Sequence, residues 1–121
     1  MENHSAEGIV ITCIDFRFQE YINKWIAENL APRTFDRVAL AGGVKNFETI
    51  LGQIDIAVRL HHIKKAVLIN HEDCGAYGLE GTPEKHEQDL KKAAAKIKKN
   101  YPDMEVETYY LHLEGTFEKV N

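Results

Sequence analysis

After a polar start the chain enters an unbroken apolar run, "GIVITC" from Gly8 to Cys13. Its Ile and Val content, with no polar alternation, predicts a short strand buried on both faces. Ile22, Trp25, Ile26 and Leu30 then recur at helical spacing, and Ala31-Pro32 ends that helix. "FDRVALAGG" predicts a second strand, about Asp36 to Ala41, closed by Gly42 and Gly43. Phe47, Ile50, Leu51, Ile54 and Val58 carry a second helical stripe as far as "HHI". "KKAVLINH" reads as a third strand, with the continuous apolar centre of a parallel sheet. Thr82 and Pro83 suit the N-cap and first position of a third helix. Leu90, Ala93, Ala94 and Ile97 mark its inner side, and it ends near "NYPD". The last stretch, "VETYYLHLEGTFEKV", predicts two strands turning at Glu114-Gly115.

Strands alternating with helices imply an α/β fold with right-handed crossovers. The expected architecture is a single domain over residues 1–121, with a central, mostly parallel sheet flanked by helices and a C-terminal strand hairpin. The strand order should begin 2-1-3. A chain of 121 residues suits one domain with a real core. The formal net charge of -4 leaves no footprint for nucleic acid or an anionic membrane. No apolar run is long enough to span a bilayer. "MENHSAEG" lacks the basic and apolar regions of a signal peptide, so a cytoplasmic location is expected.

With that strand order, the crevice at the carboxyl ends of strands one and three is where ligands bind in open α/β sheets. Those strands empty into "CIDFR" and "NHEDCG". In an extended segment Cys13, Asp15 and Arg17 share one face, and Ile14 and Phe16 point into the fold. His71 and Cys74 can converge across a turn, with Gly75 letting the backbone bend behind the sulfur. Two thiolates, an imidazole and a carboxylate form a set suited to zinc. Taken singly, the pieces read more plainly. Cys13 could be a small core residue, Asp15 and Arg17 a surface ion pair, and the two cysteines a disulfide or a redox pair.

"CIDFR" and "HEDCG" resemble the C-x-D-x-R and H-x-x-C-G motifs of the β-class carbonic anhydrases. "FDRVALAGGV", "ETILGQIDIAVRLHHIKKAVLINH" and "YYLHLEGTFEKV" are similar to that family's second strand, helix-strand unit and terminal hairpin. The resemblance implies one Zn²⁺ per chain, held by Cys13, His71 and Cys74. It implies Asp15 either as a fourth ligand or as the partner of Arg17, the two forming the catalytic pair. The implied activity is reversible hydration of carbon dioxide to bicarbonate by hydroxide held on the zinc. Relatives that hydrolyse carbonyl sulfide or carbon disulfide imply an alternative on the same site, and a closed, non-catalytic zinc domain is a third. A homodimer or higher homo-oligomer is also implied. The sequence departs from the family in three places. Only a dozen residues precede Cys13 where a longer helical arm is usual, Gly43 replaces an asparagine, and Phe16 replaces a serine.

Other polar features carry weaker expectations. His61 and His62 are neighbours on a helix and face apart, so they should sit at its C-terminus. His4, His86 and His112 have no ligand partner at useful spacing and are expected to be solvated. "KKAAAKIKK" reads as a solvated helix face. Gly42-Gly43 should bring backbone close to the crevice, and Trp25 should be core or interface.

Overall fold

The computed structural model describes residues 4–121. Its five strands are β1 (Gly8–Thr12), β2 (Phe35–Ala39), β3 (Lys65–His71), β4 (Glu105–Leu111) and β5 (Phe117–Lys119). Its three α-helices are α1 (Gln19–Asn29), α2 (Phe47–His61) and α3 (Pro83–Asn100). They form one five-stranded sheet in the order β2-β1-β3-β4-β5, parallel except for the antiparallel β4-β5 hairpin. The α/β class, the 2-1-3 beginning and the terminal hairpin are all as the sequence pattern predicts.

Pleating divides the core. Ile9, Ile11, Ala66 and Leu68 face α2 and α3, where they meet Ile50, Ile54, Leu90 and Ile97. Val10, Val67 and Ile69 face the opposite way, against Phe18, Ile22 and Ile26 of the α1 layer. Both central strands are therefore covered on both sides, which is why they read as continuous apolar runs. Edge strand β2 has no fully buried residue, in keeping with its polar Asp36 and Arg37.

The helix ends follow local chemistry. Thr82 caps α3 by accepting from the Lys85 N–H at 3.1 Å, with Pro83 in the first turn. At the other end of α2, His62 adopts a left-handed conformation and closes the helix, as its position in "HHI" suggests. No helix among the described residues is long and apolar enough to cross a membrane.

Three expectations need correction. β2 starts at Phe35 and stops at Ala39, because Gly42 turns left-handed and the chain enters a 3-10 turn at Gly43–Lys45. Ile14 and Phe16 do not point into the fold; they are 59% and 86% exposed. The chain leaves extended geometry after Thr12 and winds into a 3-10 turn at Phe16–Phe18, so alternation no longer applies. His86 is fully buried at 0% exposure, whereas His4 is exposed and His112 half-buried.

Candidate metal centre

The carboxyl ends of β1 and β3 lie side by side, with Ile11 paired to Leu68. Cys13 leaves β1 one residue past Thr12, and His71 is the last residue of β3. Cys74 follows on a turn in which its carbonyl accepts from the Tyr77 and Gly78 N–H groups, both at 3.1 Å. The donor atoms of Cys13, His71 and Cys74 all lie within 4.8 Å of one another, and all three residues are buried.

The histidine is oriented for coordination. Its Nδ1 lies 2.7 Å from the Glu72 carbonyl, which can only accept, so Nδ1 carries the proton. Nε2 therefore presents its lone pair, is buried, and has no hydrogen-bond partner. A buried polar atom without a partner is costly unless something else engages it. Here it is aimed among two sulfurs. The ring is held flat against Phe18, with centroids 4.1 Å apart. This donor set fits a borderline-soft ion such as zinc.

The surroundings of the three donors pull their protonation in different directions, with Cys13 favoured as thiolate and Cys74 and His71 held toward their protonated forms. Burial works against a Cys13 thiolate, but attraction to His71 and hydrogen bonds from the Gly42 and Asp15 N–H groups outweigh it, bringing the thiol down to about 7. The Gly42 N–H donates to Cys13 Sγ at 3.3 Å, so the double glycine does bring backbone to the crevice. Burial pushes the Cys74 thiol up, and the neighbouring Cys13 sulfur adds to that. Burial alone would favour neutral His71, yet the facing Cys13 sulfur and the Glu72 carbonyl raise it overall. Both cysteines are free thiols.

Asp15 stands beside this group and is gripped by Arg17. Arg17 Nη2 reaches Asp15 Oδ2 at 2.7 Å and Nε reaches Oδ1 at 3.1 Å. That guanidinium holds Asp15 down to about 2. Asp15 Oδ2 remains 3.8 Å from His71 Nε2. Reading the sequence missed the second anchor of Arg17: Nη1 reaches Asp73 Oδ2 at 3.0 Å and Nη2 reaches the Asp73 carbonyl at 2.8 Å. Asp73 has a positive φ of 57°, and no one-dimensional pattern announces such a turn.

Residues 3–121 match the profile of a family described as "Putative carbonic anhydrase". The chain belongs to that family. It is 32% identical to "Uncharacterized protein RC0076" of Rickettsia conorii (strain ATCC VR-613 / Malish 7), over 97% of this chain and 73% of that protein. Among solved structures, the β-carbonic anhydrase isoform I of Trichomonas vaginalis superposes with a TM-score of 0.70, at 14% identity, covering 98% of this chain and 85% of that one. The apo form of a carbon disulfide hydrolase superposes with a TM-score of 0.64, at 17% identity, covering 98% of this chain and 80% of that one. The carbonic anhydrase fold is thus shared across nearly the whole of this chain.

Proposed function

We propose that this protein is a zinc enzyme catalysing reversible hydration of carbon dioxide to bicarbonate, with Cys13, His71 and Cys74 holding the metal. The observation that carries the reading is the convergence of those three donors, His71 offering a buried and unpartnered Nε2. When bound there, zinc supplies a Lewis acid that makes water a nucleophile near neutral pH. Two thiolates and a neutral imidazole cancel the ion's charge and blunt that effect. A carboxylate beside the site therefore has work to do.

Asp15 is that carboxylate. It is ionised throughout the physiological range, so it can orient the reacting water by accepting its hydrogen bond. Arg17 keeps Asp15 in this position through its two-pronged grip, with Asp15 Oδ2 3.8 Å from His71 Nε2. That arrangement favours an open, catalytic site over a closed structural one. Arg17 itself is drawn further toward its charged form by Asp15 and Asp73.

Stopped-flow hydration of carbon dioxide by the zinc-loaded protein, from neutral to alkaline pH, tests the reading. A folded, metallated sample without any zinc-dependent rate would falsify it. The likeness to a carbon disulfide hydrolase, with apolar Ile14 and Phe16 exposed beside the site, favours a second reading: hydrolysis of carbon disulfide or carbonyl sulfide. Hydrogen sulfide release measured on the same preparation separates the two.

The same exposed apolar residues, with Leu79 fully exposed nearby in sequence to Cys74, support a homodimer or larger homo-oligomer. Sedimentation at micromolar concentration should show a species at least twice the chain mass; a monomer throughout would reject this. The cytoplasm is the proposed compartment, since reducing conditions keep both thiols free for metal.

A further inference from the structure

We propose that Asn70 is the positioning residue of the metal centre, its buried side chain tying together the three segments that carry Cys13, His71 and Cys74. This rests on the metal-binding reading of those three residues. Asn70 is 1% exposed and immediately precedes His71. Pleating sends the two side chains to opposite faces of the sheet. His71 stacks on Phe18 on one side, and Asn70 reaches toward α3 and the Gly43–Lys45 turn on the other.

Two of the three contacts of the amide lead to a ligand. Asn70 Oδ1 accepts from the Val44 N–H at 3.1 Å. Val44 sits in the turn opened by Gly42, whose own N–H reaches the Cys13 sulfur. Asn70 Nδ2 lies 3.1 Å from the Tyr77 hydroxyl. Tyr77 ends the turn begun by Cys74, and its buried ring packs with the Cys13 and Cys74 side chains. Through the chain itself Asn70 fixes His71. Nδ2 also lies 2.9 Å from His86 Nδ1, which anchors the amide to α3.

The protons can be assigned throughout. A backbone N–H only donates, so the amide atom facing Val44 is the oxygen. Both amide hydrogens then point at Tyr77 and His86, and both of those groups accept. The Tyr77 hydroxyl sends its own proton to Asp89 Oδ2 at 2.7 Å. His86 is thereby neutral and protonated on Nε2, a buried N–H that has no hydrogen-bond partner among the described residues. Reversing the amide would set two N–H donors against each other at Val44. The network therefore has one arrangement, and it is buried where losing a partner is expensive.

Groups that orient metal ligands from behind are typically worth about 10- to 100-fold in metal affinity. Zinc affinity by chelator competition, the Co²⁺ absorption spectrum and the melting temperature of the metal-free chain should be compared for wild type, Asn70→Ala and Tyr77→Phe. Asn70→Ala is expected to weaken zinc binding about 10- to 100-fold and to shift the thiolate-to-cobalt band. Tyr77→Phe removes one hydroxyl and keeps the ring, so a loss of about 3- to 10-fold is expected. A purely structural role would lower the melting temperature and leave affinity and spectrum unchanged, and that pattern overturns the proposal. If Asn70→Ala does not fold, unchanged zinc affinity in Tyr77→Phe overturns it alone. A wild-type chain that takes up neither ion overturns the metal reading beneath, whereas normal wild-type uptake with unaffected variants sinks only the role of Asn70.

Discussion

A serine at position 74 would keep nearly the shape of the cysteine and lose the sulfur. Cys74→Ser should therefore fold as wild type but drop from about one zinc per chain to a small fraction of that, measured by metal analysis after dialysis. Gly43 offers a different test. Its φ is +60°, and a Cβ there would stand 2.3 Å from Asn70 Oδ1. Gly43→Ala should cost more than about 2 kcal/mol in urea unfolding, since a left-handed turn and a buried hydrogen bond are both disturbed. At this scale the sequence was half legible. Cys13, Asp15, Arg17, His71 and Cys74 stood out because their residue types are unusual at the ends of apolar strands. Asn70 did not, because an asparagine beside a histidine looks like any polar strand end. His86 was misread as solvated although it lies four residues before Leu90, on the stripe continued by Ala93 and Ile97. Its polarity hid a position that the helical period marks as buried.

At the scale of elements, patterns of hydrophobic residues foretold β1, β3 and all three helices because each buries a stripe or both faces. The boundaries that failed are those where the backbone changes type: the left-handed Gly42 after β2 and the 3-10 turn after Asp15. Both adjoin the candidate donor group of Cys13, His71 and Cys74, so the geometry that matters most was the least legible. The third helix can be tested at its start. Thr82→Ala removes the acceptor for the Lys85 N–H and should lower stability by about 1 kcal/mol. The difference between the unfolding free energies by denaturant titration checks it, and Thr82→Ser should recover most of the loss.

The whole molecule feels the buried His86 through pH. Burial, joined by the charge of His71, lowers its pKa to about 4, below the ordinary value near 6.5. Between those values the unfolded chain takes up a proton that the folded chain refuses, so stability is full above about pH 6.5 and falls as pH drops toward 4. A shift of this size corresponds to about 3 kcal/mol. Metal-free wild type and His86→Asn should be unfolded at pH 7 and at pH 4; wild type should lose more on acidification, and equal losses would contradict the assignment. Fold class and the beginning of the strand order were readable beforehand, since they depend on chain-long alternation of buried runs. The exposure of Ile14, Phe16 and Leu79 was not, because a surface position leaves no period behind.

The two margins of the sheet carry a practical consequence. On one side stands a strand of only three residues, Phe117–Lys119, that includes Glu118 and Lys119. On the other, Asp36 contacts His61 and Arg37 contacts Asn23, so both charges stay fixed along that border. Neither border is a long, uncharged template onto which a foreign chain could stitch itself. Concentrated solutions should resist fibril growth at both margins of the sheet.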